Sequence, residues 1–131
     1  MAVSVVSVVR AVLVAAFPSS VKVSNQAPNP LPGRYIRVSR VGGPREWALD
    51  KPMVLVECFA ASSAKAPDGQ QAEQDAYTAA DALRASSMGG PWAGGHITGW
   101  DQNSIVDFPD PDQASHARWQ FTGTLYLLKS S

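Results

Sequence analysis

Pro52-Met53-Val54-Leu55-Val56-Glu57-Cys58-Phe59-Ala60 is the stretch on which the fold turns. In an extended chain successive side chains point to opposite faces, so Val54, Val56 and Cys58 share one side and Met53, Leu55, Glu57 and Phe59 the other. Both sides are apolar. A strand of that kind belongs in the middle of a sheet, and the rest of the chain is read outward from it.

Immediately upstream, residues 34–41 alternate: Tyr35, Arg37, Ser39 and Val41 point one way, Arg34, Ile36, Val38 and Arg40 the other. Gly42-Gly43-Pro44-Arg45 breaks that strand, and a polar stretch through Asp50 and Lys51 leads into the central one, so the two are expected to form a hairpin with a long arm. Downstream, Asp68-Gly69-Gln70-Gln71 has the spacing of a capping box, with Asp68 bonding an amide one turn on and Gln71 reaching back. A helix is expected from near Gly69, with Ala72, Ala76, Ala79, Ala80 and Leu83 on its apolar stripe and Glu73, Asp75, Asp81 and Arg84 off it. Residues 86–95 read as a glycine-rich loop whose Trp92 either plugs the core edge or faces a partner.

The last third reads as strands 97–106 and 118–129, joined by Asp107-Phe108-Pro109-Asp110-Pro111-Asp112. In the final strand Trp119, Phe121, Gly123, Leu125 and Leu127 make one nearly continuous apolar face. At the other end, Val5, Val6, Val8, Val9, Val12, Leu13 and Ala16 recur at helical spacing within residues 3–17, although valine is a poor helix former. Pro18 stops that helix, a short strand is expected at 21–24, and three prolines make 25–33 an extended loop. The order α-β-β-β-α-β-β implies one α+β domain over residues 1–131. Its sheet should be curved, mainly antiparallel and of four to five strands, with both helices packed on one face.

Composition narrows the function. Lysine plus arginine equals aspartate plus glutamate at 11 each, so no global basic field holds nucleic acid. With 45% hydrophobic and only 17% charged residues, some apolar surface is expected to belong to a partner. The one cysteine, Cys58, is expected to be a small buried hydrophobe; without disulfides the fold suits a reducing cytoplasm. The valine-rich start is not read as a secretion signal, because no positive charge precedes it, Arg10 interrupts it, and 11–17 is far too short to span a membrane.

Chemistry is hard to place on this sequence. His96 and His116 have no metal-ligand spacing to a second histidine, a cysteine or a glutamate, and are given surface or strand-edge roles. Asp107, Asp110 and Asp112 lack the glycine and terminal glutamate of a calcium loop, and the interleaved prolines favour a stiff solvated turn. There is no Gly-x-Ser-x-Gly elbow and no phosphate-cradling glycine loop. The expectation is a protein without enzymatic activity, cofactor or metal.

The positive signs concern assembly. The loops 42–47, 89–95 and 108–111 combine glycine and proline with aromatics, and stiff loops lower the ordering cost of binding. Trp47, Trp92 and Trp100 either anchor an interface or cover the core edges of their own domain.

Three runs carry a family resemblance: Arg34-Tyr35-Ile36-Arg37-Val38-Ser39-Arg40-Val41-Gly42-Gly43-Pro44-Arg45, then Asp50-Lys51 with the central strand, then Val106-Asp107-Phe108-Pro109-Asp110-Pro111-Asp112 followed by Ala117-Arg118-Trp119-Gln120-Phe121-Thr122. In element order and over nearly the whole length the chain resembles the tail terminator, or tail completion, proteins of long-tailed actinobacterial phages. It departs from them after Gly42-Gly43, where one arginine stands in place of several basic residues, and in the long glycine-rich loop at 86–95.

The resemblance implies a virion protein of the tail or neck, assembled in the host cytoplasm. It would form a homo-oligomeric, hexameric ring that caps the tail tube, ends its growth and offers the head a joining surface. Its partners would be the major tail tube protein and a head-completion or connector protein; DNA would pass through without sequence-specific binding, and no membrane is involved. The expected contact residues are Gly42, Gly43, Pro44, Arg45, Trp47, Trp92, Phe108 and Pro109, with the arm 42–50 meeting a neighbouring subunit or the tube. Asp107, Asp110 and Asp112 would line the lumen and repel DNA. The rivals are another neck or tail component, a small hydrolase using His96 or His116 with an aspartate, and a regulatory ligand-binding domain.

Overall fold

The computed structural model describes residues 3–45, 49–63 and 66–128. Helix α1 (Val5–Ala16) starts where the Ser4 hydroxyl accepts from the Ser7 amide at 3.3 Å. It buries Val5, Val8, Val9, Val12 and Leu13, so packing overrides the low helix propensity of valine. The buried stripe is narrower than the sequence pattern, with Val6 only half-buried and Ala16 exposed. Strands β1 (Lys22–Ser24), β2 (Arg34–Gly42), β3 (Leu49–Asp50) and β4 (Met53–Ala60) follow, then α2 (Gly69–Ala85), β5 (His96–Gln102), β6 (Val106–Asp107) and β7 (Ala117–Leu128). Short 3-10 turns lie at Ser86–Met88 and Pro111–Gln113.

The seven strands make one sheet in the order β1-β2-β4-β7. Along its twelve residues β7 is flanked on one side by β4 and, beyond the end of β4, by β3; its other side carries β6 and β5. Among the described strands only β1 and β2 pair in parallel. The sheet is therefore mainly antiparallel, as the alternation in the sequence implies. Two two-residue strands raise the count, because the expected strand 97–106 divides into β5 and β6 and because the hairpin arm folds back as β3 against β7.

Both helices lie on one face. Ile36, Val38, Val54, Val56, Cys58, Phe121, Leu125 and Leu127 turn toward them and form a core with the buried residues of α1 and with Ala76, Ala79, Ala80 and Leu83 of α2. A stripe of alanines lets α2 approach the sheet closely.

Asp75 departs from the sequence expectation. It is buried, and it takes a two-pronged ion pair from Arg34 at 2.7 and 3.1 Å. Gln71 does not close the capping box; its amide donates to Asp75 at 2.9 Å, while Asp68 still accepts from the Gln71 backbone at 3.1 Å. The Asp75 contact draws the Arg34 guanidinium to a higher pKa, against the opposing effect of burial.

Candidate assembly surface

The sheet face turned away from the helices is assembled from the other alternation of β2, β4 and β7. On it Arg37, Glu57 and Gln120 form one cross-strand row, and Tyr35, Phe59 and Arg118 the next. Glu57 is buried and accepts three charged hydrogen bonds: from Arg37 Nε at 2.8 Å, Arg37 Nη2 at 2.9 Å and Arg118 Nη1 at 2.7 Å. Burying a carboxylate is costly unless it is paired and hydrogen-bonded, and these three bonds supply that pairing. In return the hydrogen-bonded Glu57 raises the pKa of Arg37.

Beneath the two guanidiniums Tyr35 and Phe59 stack with ring centroids 4.5 Å apart, and the Arg37 and Arg118 guanidinium carbons stand 5.5 and 5.9 Å from the Phe59 centroid. His116 meets Tyr35 edge-on at 5.5 Å. It is buried just before β7 rather than at the surface, with Nε2 2.9 Å from the Pro32 carbonyl and Nδ1 2.8 Å from the Ser115 hydroxyl. A carbonyl only accepts, so Nε2 is the donor in the contact with Pro32. Burial pushes the Tyr35 phenol pKa up, and among the described residues its hydroxyl has no hydrogen-bond partner.

Arg118 links this cluster to the loop that follows β6. Its Nε donates to the Phe108 carbonyl at 2.6 Å, its guanidinium carbon lies 5.1 Å from the Phe108 ring centroid, and its own carbonyl accepts from the Phe108 amide at 3.0 Å. Phe108 is thus held at three points and yet is 55% exposed. Pro109 beside it is exposed.

The three aspartates of this loop separate in role. Asp107 and Asp112 are exposed; Asp110 is half-buried, accepts from the Asp112 amide at 3.0 Å and lies 3.6 Å from Arg118.

The other expected contact residues are placed as follows. Gly42 and Gly43 have φ of +150° and +91°, and a side chain at Gly43 would put Cβ 2.1 Å from the Lys51 carbonyl oxygen. Arg40 ties this turn down: it donates to the carbonyls of Gly42 and Gly43 and pairs with the buried Asp50 at 3.0 Å. The Pro44 carbonyl accepts from the Lys51 amide at 3.0 Å, and the backbone of Arg45 pairs with that of Asp50 as an isolated antiparallel β-bridge. The described part of the arm is therefore folded against its own sheet. Trp47 lies outside the described residues.

Trp92 packs against the edge of the core and donates its indole proton to the Ser86 carbonyl at 2.9 Å, so it covers its own domain. Trp100 does likewise, edge-on to Phe121 at 6.1 Å. His96 is exposed at the start of β5.

On the opposite edge of the sheet, α1, β1 and the proline loop enclose a groove of about 660 Å³. Val14, Val21, Pro28 and Pro30 supply apolar lining, and its charged lining residues, Arg10 and Lys22, are both basic. Arg10 is fixed by donating from Nε to the Val23 carbonyl at 2.8 Å. Among the described residues no cluster of three or more histidine, cysteine, aspartate or glutamate side chains could hold a metal ion, and no helix is long and apolar enough to cross a membrane.

Sequence reasoning missed the Arg37–Glu57–Arg118 cluster. Its signal was the hairpin register, which sets Arg37 directly opposite Glu57.

Comparison with known proteins bears on the fold. No family model matches the chain, and no curated protein matches it. Among solved structures it resembles a chain of the virion of a native gene transfer agent particle, with a TM-score of 0.63, 15% sequence identity and 95% of each chain covered. Likeness at that identity establishes a shared fold over nearly the whole length of both chains.

Proposed function

We propose that this chain is a structural component of a phage-like virion. Within it, copies close into a ring, hexameric in the reading that follows from the sequence resemblance, that caps the tail tube, ends its polymerisation and offers a surface to the head-completion or connector protein. The observation that carries this reading is the full-length likeness to a chain of a gene transfer agent virion, which joins a sequence resemblance to tail terminators that is equally long. The site chemistry agrees with a structural role rather than a catalytic one: both nitrogens of His116 are taken by neighbours, and the Cys58 thiol is buried and pushed to a higher pKa. DNA passes through such a ring without base contacts.

The test is multi-angle light scattering of the purified chain, alone and mixed with the major tail tube protein, with electron microscopy of the mixture. A terminator stops at a ring and shortens or ends the tubes. Open-ended polymers of the chain itself would instead assign it to the tube, and a monomer that leaves tube growth unchanged would defeat the proposal.

A further inference from the structure

The two edges of the sheet are complementary. One cross-strand row runs from Val23 through Ile36, Cys58 and Trp119 to Asp107, so the α1–β1 groove and the Phe108 loop stand at its two ends. Four strand spacings separate them, roughly 19 Å. The groove is apolar with a basic rim, Arg10 and Lys22. The loop presents an exposed phenyl ring flanked by Asp107, Asp112 and the prolines 109 and 111, with Val106 also 41% exposed. An exposed aromatic held by its own carbonyl, amide and ring has little freedom left to lose on docking, which is the character of an interface anchor. A volume near 660 Å³ accommodates a phenyl ring and a proline.

We infer that copies of this chain join head to tail, the Phe108 loop of one copy seated in the α1–β1 groove of the next. Two different patches at opposite ends of one row make a heterologous contact, which closes into a ring when each step adds a fixed rotation. Opposite charge at the rims sets the register and disfavours groove-to-groove and loop-to-loop pairing. The inference rests on the ring reading above and adds to it the surfaces through which the ring is built.

Cysteine cross-linking tests it. The double variant Ser19→Cys/Pro109→Cys places one thiol in the groove and one on the loop, both at exposed positions, and leaves Arg10, Lys22 and the aspartates in place. Under mild oxidation it is expected to give a ladder on a non-reducing gel that ends at one closed species, while each single variant gives no product beyond a dimer. Phe108→Ser added to the double variant should reduce the ladder at least tenfold. A second check needs no oxidant: chains carrying Phe108→Ser and chains carrying Val14→Glu should each be monomeric alone and should form a discrete heterodimer when mixed, since one intact groove then meets one intact loop. If the wild-type chain forms rings but no ladder and no heterodimer appear, the interface lies elsewhere and the ring reading stands. If the wild-type chain forms no ring alone or with tubes, both fall.

Discussion

Replacing Glu57 by alanine removes the acceptor that lies between Arg37 and Arg118 and leaves two guanidiniums facing each other above Phe59. Breaking a buried ion pair by deleting one partner costs about 3–5 kcal/mol when the remaining charge has no water. Here the Arg37 side chain is 29% exposed and Arg118 12%, so part of that cost is recovered by solvent. Arg118 also keeps the Phe108 carbonyl and Asp110. The expected loss is therefore about 2–3 kcal/mol. With an unfolding entropy near 2.1 cal/mol/K per residue, the melting temperature should fall by about 7–11 °C. Urea unfolding followed by tryptophan fluorescence measures the free energy, and calorimetry the temperature. The paired change Arg37→Met/Glu57→Leu removes the charge conflict along with the acceptor and should recover about half of the loss. A loss under about 1 kcal/mol for Glu57→Ala would place the cluster with ordinary solvated surface pairs and refute the reasoning.

Asp75→Ala breaks the Arg34 pair on the helix side of the sheet and should cost about 2 kcal/mol in the same urea assay. Because it shares no partner with Glu57, the two losses should add to within about 0.5 kcal/mol, and a larger deviation would mean the two faces are coupled. Gly43→Ala forces a Cβ onto the Lys51 carbonyl at a positive φ and should cost about 2–3 kcal/mol; a change in melting temperature of only a degree or two would contradict that geometry. Stability should also decline on the alkaline side. The Cys58 thiol, ordinarily near 9.0, is raised by burial, so its contribution is intact below about pH 9 and is lost above it, as the unfolded thiol ionises while the folded one does not. That slope approaches 1.4 kcal/mol per pH unit, and Cys58→Ala should delay the decline toward pH 10, where Tyr35 begins to act in the same sense. Parallel urea midpoints for the two proteins between pH 8.5 and 10 would rule this out.

Much of this protein is legible in the chain because alternation and helical spacing are local properties. The two-sided apolar run 52–60 marks β4 as central, the alternation of Trp119 to Leu127 fixes the buried side of β7, and the alanine stripe fixes the face of α2. The cap at Asp68 is equally local. Charge within these same patterns is less informative. Asp75 reads as a solvated helix residue until α2 is laid over Arg34, and Gln71 is drawn to it and away from the cap.

Tertiary structure alone decided which long-range partners met. The parallel pairing of β1, the return of the arm as β3, and the burial of His116 against Pro32 each join segments whose local sequences carry no sign of the other. The groove beside α1 and the loop that holds Phe108 lie far apart along the chain, and only the stacking of β2, β4 and β7 between them sets them at opposite ends of one row. Periodicity tells a strand which face to bury; it does not tell that strand who its neighbours are, because pairing is chosen by the burial of the whole sheet at once.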